Sequence, residues 1–136
     1  MALLLVLALT YGPYRVAAID MLDIVVFRVE VAIWPDVTRT VELRLEGVTA
    51  PRHDSPCESE RLLAAEARDF TRAFVDQPLT LSAVRKSTRG DWVIGRLKDQ
   101  RGADLGTALV EAGYAARLKK DGRPSWCPQS PGSGPR

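Results

Sequence analysis

Apolar and polar positions alternate at several places along this chain. In "IVVFRVEVAIW" (24–34), Phe27, Val29, Val31 and Ile33 fall on one side of an extended chain, with Arg28, Glu30 and Ala32 on the other. "PDVT" (35–38) is turn chemistry. "RTVELRLEG" (39–47) then sets Val41, Leu43 and Leu45 against Thr40, Glu42, Arg44 and Glu46. Two alternating runs joined by a turn predict a hairpin, with Arg44 on its polar face. "YRVAAID" (14–20), "LTLSAV" (79–84) and "WVIGRL" (92–97) read as further strands, the last two around the turn-rich "RKSTRGD".

The pattern changes period at "SPCESERLLAAEARDFTRAFVDQP". Leu63, Ala67, Phe70 and Phe74 recur at helical spacing and form the expected core stripe. Ser55 is the expected cap, with Pro56 at the first helical position, Glu58 closing a capping box and Pro78 ending the helix. "LGTALVEAG" (105–113) predicts a short second helix with Gly113 at its C-terminal cap. Three strands, a capped helix, two strands and a helix suit a small closed barrel of the oligonucleotide-binding type. The expected class is therefore α+β, mainly β: a five-stranded OB-fold barrel with two or three helices.

Three segments follow from this order. Residues 1–12 hold an apolar run, Ala2–Leu9, long enough for a signal-peptide core and too short to span a bilayer. It reads as a signal-like or membrane-anchoring start, or as a partner-binding arm. Residues 13–118 form the barrel domain, and 119–136 a Pro/Gly/Ser-rich tail.

With 136 residues and 46% hydrophobic content, a core is within reach and wholesale disorder is excluded. A net charge of +2 demands no polyanion partner, although a local basic stripe can hide within the sum. One histidine, His53, and two cysteines, Cys57 and Cys127, are too few for a zinc site of Cys and His. The two cysteines are free core thiols or one disulfide. Export favours the disulfide, which would close a loop of about 70 residues and stabilise by roughly 4 kcal/mol.

Several blocks, in order, resemble the staphylococcal-nuclease-like (thermonuclease) family, and more narrowly a bacterial exported branch of it. They are "AID" with Val25 (18–25), "VELRLEGVTAP" (41–51), "CESERLLAAEARDF" (57–70), "DLGTALVEAGYA" (104–115) and "GRPSWC" (122–127). The resemblance covers about residues 13–127. It implies an enzyme in which two aspartates hold a calcium ion, a glutamate assists an attacking water, and two arginines bind the phosphate. Calcium needs several oxygen ligands, and the developing charge needs cations.

Matched position by position, the site is degenerate. Asp20 keeps the place of the first aspartate in the hairpin motif, while Leu22 falls at the metal-binding one. A one-residue slip would offer Asp23 instead. Arg44 keeps the first arginine. Thr49 stands at the second metal aspartate and Arg52 at the glutamate. Asp91 falls where the second arginine is expected, with Arg89 as a substitute. A unit charge at about 4 Å and an effective dielectric near 20 is worth roughly 4 kcal/mol, and a divalent ion beside Arg52 feels about twice that.

The resemblance with these departures implies a catalytically inactive domain with no metal. Such a domain acts as a structural or interaction module, an accessory subunit of a larger assembly held through its hydrophobic arm and its tail. The alternatives are a calcium-dependent nuclease acting on DNA or RNA through Asp20, Asp23, Arg44 and Arg89, and a non-catalytic nucleic-acid binder holding phosphate on Arg44 and Arg89. The expected location is exported, periplasmic or membrane-associated. Trp34, Trp92 and Trp126 stack on bases or simply pack. His53 beside Asp54 reads as a plain loop pair, and Lys119, Lys120 and Arg123 as a solvated tail.

Overall fold

The computed structural model describes residues 9–120, 122 and 124–128. Five strands close a barrel: β1 (Tyr14–Asp23), β2 (Val26–Trp34), β3 (Val37–Leu45), β5 (Thr80–Lys86) and β6 (Val93–Lys98). Around the wall they run β1-β2-β3-β6-β5, and β5 returns to β1. Every pairing is antiparallel except β3 with β6, which is parallel. The fold is therefore the expected mainly-β, OB-like five-stranded barrel, with two helices among the described residues where two or three were expected. A two-stranded annex, β4 (Val48–Thr49) with β7 (Ala116–Arg117), was not legible as alternation because each strand has only two residues.

Alternation works as expected through the hairpin. Phe27, Val29, Leu43 and Leu45 are buried. Ile33 departs from the pattern and is 43% exposed, because the register slips between Ala32 and Trp34 and frees it from the inward row. Gly95 is buried where three strands meet. A Cβ there would lie 3.1 Å from Leu81 Cδ1 and 3.2 Å from the Ser82 carbonyl oxygen, so glycine lets β6 lie close to β5.

The long helix, α1 (Glu58–Val75), starts later than expected. Its N-cap is Cys57, which makes no side-chain capping bond, so Ser55 and Pro56 precede the helix instead of opening it. Ser55 is buried, and its Oγ accepts from the Cys57 amide. The reach-back expected of Glu58 belongs to Glu60, the third helical residue, whose Oε2 accepts from the Arg52 amide at 2.7 Å. The buried stripe is also shifted, to Glu60, Ala64, Ala67 and Thr71, with Phe70 and Phe74 half-buried beside it. Small residues at the centre bring the helix close to the barrel, while larger ones seal the flanks. Thr71 Oγ1 donates to the Ile24 carbonyl at 3.4 Å, fixing α1 over the β1–β2 turn.

The second helix, α2 (Leu105–Glu111), is capped by Asp104, whose carboxylate accepts from the Thr107 amide. It ends as the sequence predicts. Gly113 takes φ +82° and its amide bonds to Val110, while the next amide, of Tyr114, bonds to Leu109.

Cys57 and Cys127 form a disulfide with Cα atoms 5.8 Å apart, fastening the tail to the start of α1. Such a bond fits an oxidising compartment. Among the described residues no helix is long and apolar enough to cross a membrane. Residues 1–8, most of the apolar start, lie outside the described residues. By Tyr11 the chain has joined the barrel, exchanging both backbone bonds with Val84.

Candidate functional site

Four of the five barrel strands bring one row of residues side by side. Val26 on β2 pairs with Arg44 on β3, Arg44 with Ile94 on β6, and Ile94 with Arg85 on β5. Laterally paired residues face the same way, so the row makes an outward surface with a cation at its centre and another at its end. Val25 from the β1–β2 turn and the hairpin residues Ser87, Thr88, Arg89 and Trp92 wall it, together with Leu118. The result is a cleft of about 660 Å³ with an apolar floor and three guanidinium groups.

Trp92 is the residue the sequence reading undervalued. The Arg44 guanidinium carbon lies 3.7 Å from the centre of a Trp92 ring. The hairpin loop is shaped to hold that ring. Ser87 donates its amide to the Trp92 carbonyl, closing the loop, and a Cβ at Gly90 would fall 2.1 Å from Trp92 Cζ3. Only glycine at 90 lets the indole lie where it does. A cation over an indole face is held by the ring quadrupole, and the pair presents charge and a flat apolar surface together.

The charges leave the cleft cationic. Arg44 is 3.4 Å from Glu42, two residues back on the same strand, and both side chains are solvated. Glu46, the one carboxylate among the described residues lining the cleft, is taken by Arg96 at 3.0 Å. Among the described residues no salt bridge ties up Arg85 or Arg89.

Of the positions singled out from the sequence, Arg44 and Arg89 line this cleft. Asp91 is exposed and does not. Trp92, next in the chain, faces Arg44 instead, so the acid that falls at the expected second-arginine position stands outside the lining. Leu22 is the bulged residue of β1, where register slips between Met21 and Asp23, and it is exposed. Asp23 is engaged elsewhere, accepting from the Ile24 amide and pairing with Arg68 of α1 at 3.7 Å. Asp20 sits opposite Arg28 on β2, in a shallow dimple with Ala18, Glu30 and Thr40.

Thr49 belongs to the β4–β7 annex. Arg52 turns its side chain to Asp54 at 3.5 Å, and His53 between them is exposed. Trp126 lies at the start of α1, where its carbonyl accepts from Ser59, and Trp34 is at the far hairpin tip. Lys119 and Lys120 are exposed, while Arg123 is outside the described residues. Cys57, Glu60 and Cys127 place three ligand-type atoms within 4.8 Å of one another, but the two sulfurs are bonded together. No protein-family model matches the chain, and no curated protein matches it either.

Proposed function

We propose that this chain is a staphylococcal-nuclease-like barrel without the calcium chemistry of that family, serving as an exported, non-catalytic module that binds single-stranded nucleic acid. The observation that carries this reading is the Arg44 guanidinium stacked at 3.7 Å on Trp92 in a cleft also lined by Arg85 and Arg89. Cationic side chains beside an aromatic platform supply both halves of sequence-tolerant single-strand binding, phosphate attraction and base stacking. The cleft also lies on the strand 2–3 face between the first and last barrel loops, where OB barrels take oligonucleotides.

Loss of the calcium chemistry is argued from the resemblance and from side-chain placement. Leu22 and Thr49 offer no carboxylate, Asp23 is paired with Arg68, and Arg52 adds a cation. The disulfide supports the exported location.

The test is fluorescence anisotropy of a labelled single-stranded oligonucleotide titrated with the full chain over a range of salt, with and without calcium. Three phosphate contacts predict a slope of log affinity against log salt of about −2. No binding at low salt, or binding indifferent to salt, would falsify the reading. Calcium-dependent cleavage of the oligonucleotide would return the chain to the nucleases.

A further inference from the structure

The two ends of the barrel differ. At one end α1 sits over the β1–β2 turn. At the other, Tyr14, Val31, Val41, Leu81, Val84 and Val93 surround an apolar hollow of about 240 Å³, lined only by strand residues and Tyr11. Two of its lining residues, Tyr11 at 53% and Ile33 at 43%, are exposed large apolar side chains, and Trp34, next to Ile33 at the hairpin tip, is 74% exposed. Apolar side chains clustered around a hollow, unlike single exposed ones, mark an interaction surface.

We infer that this open barrel end is a membrane-contact surface that rests on an anionic lipid bilayer, with Trp34, Ile33 and Tyr11 entering the headgroup boundary. Three observations choose this occupant. The rim is cationic: Arg39 and Lys86 line the hollow, and among the described residues no carboxylate does. Asp36, at the tip of the β2–β3 turn, is the nearest acid in sequence to Trp34. Trp and Tyr are the side chains that settle at a membrane–water boundary, having an apolar body and a polar tip. Finally, the apolar sequence run Ala2–Leu9 leads directly into Tyr11 on this rim. A short apolar segment alone anchors weakly, and stable attachment takes a second signal, which the basic aromatic rim supplies. A second copy of the chain is a poorer occupant, because the same face on it carries the same two cations and, among the described residues lining the hollow, no carboxylate to meet them.

This surface is independent of the nucleic-acid reading. Along β5 and β6, Arg85 and Ile94 line the Trp92 cleft, whereas Val84, Lys86 and Val93 line the hollow.

The experiment floats the full chain with vesicles of phosphatidylcholine alone, and of phosphatidylcholine mixed with phosphatidylglycerol. Binding to the anionic vesicles is expected, with tryptophan emission quenched by brominated acyl chains. Each rim cation near the surface is worth about fivefold in partitioning, so Arg39→Gln with Lys86→Gln should lose about 25-fold on anionic vesicles and little on neutral ones. Ile33→Ser with Trp34→Ser, both exposed, should abolish flotation with the anionic vesicles while circular dichroism stays unchanged. Absence of vesicle binding overturns the proposal. So does binding unchanged by Ile33→Ser with Trp34→Ser, which would assign attachment to the apolar run alone. Lipid-free dimerisation abolished by the same pair would also overturn it, making the occupant a second copy.

Discussion

Three residues decide the cleft: Arg44, Trp92 and Gly90. Arg44 was legible from the sequence because alternation placed it on the wet face of a strand. Trp92 was not, because a tryptophan at a strand end reads as packing until its partner across the sheet is known. Gly90 does its work by absence. With Trp92 Cζ3 only 2.1 Å from where its Cβ would be, any side chain there evicts the indole. Three substitutions therefore separate the contributions. Trp92→Ala removes a stacking platform worth about 1–3 kcal/mol per base, so oligonucleotide affinity should fall tenfold or more at every salt concentration. Arg44→Ala should instead reduce the salt slope by about 0.7, the signature of one lost phosphate contact on a single strand. Gly90→Ala touches no ligand, yet on this geometry it should cost as much affinity as Trp92→Ala, with the folded state intact by circular dichroism. Anisotropy over a salt series reads all three.

At the scale of elements, α1 shows how a correct helix can be predicted from partly wrong reasons. Its existence followed from 3.6-residue periodicity, and that signal survives local error because it is summed over 18 residues. Its start did not follow, because Ser55, Pro56 and Glu58 mimic a capping box. The N-cap is instead Cys57, held in the disulfide, and Glu60 makes the reach-back bond to Arg52, eight residues away. No local rule encodes that distance. For the same reason the barrel order was legible from the sequence of elements, while the β4–β7 annex and the Trp92 stack, which depend on contacts across the fold, were not.

Glu60 carries a consequence for stability. Its carboxylate is buried and accepts the Arg52 amide at 2.7 Å, so Glu60→Ala strands a donor and frees the segment that precedes the helix. Hydrogen bonds to charged groups are worth about 1.5–3 kcal/mol. Urea denaturation of Glu60→Ala should show a loss of that size with an unchanged m-value. Glu58→Ala, exposed and outside the reach-back, should change little.

For the whole molecule, a net charge of +2 is too small to draw in a polyanion at long range, so any nucleic-acid affinity must come from the local arrangement of the cleft. That arrangement is mechanically separate from the tail. The last cleft residue, Leu118, is held to the barrel by its amide bond to the Gly47 carbonyl, before the chain departs toward Cys127. The Cys57–Cys127 bond closes a separation of 70 residues, and in the chain-entropy model such a cross-link stabilises by roughly 4 kcal/mol. A domain of this size has only about 5–15 kcal/mol in total. Stability and binding should therefore respond differently to reduction. Replacing both cysteines by serine, or adding a dithiol reductant, should move the urea midpoint down by the equivalent of several kcal/mol. Oligonucleotide affinity measured without denaturant should stay within about twofold, since none of the described tail residues lines the cleft and mutations at distant sites act independently. A parallel collapse of affinity would mean that the tail shapes the cleft through β7, and that the barrel face alone is not the binding unit.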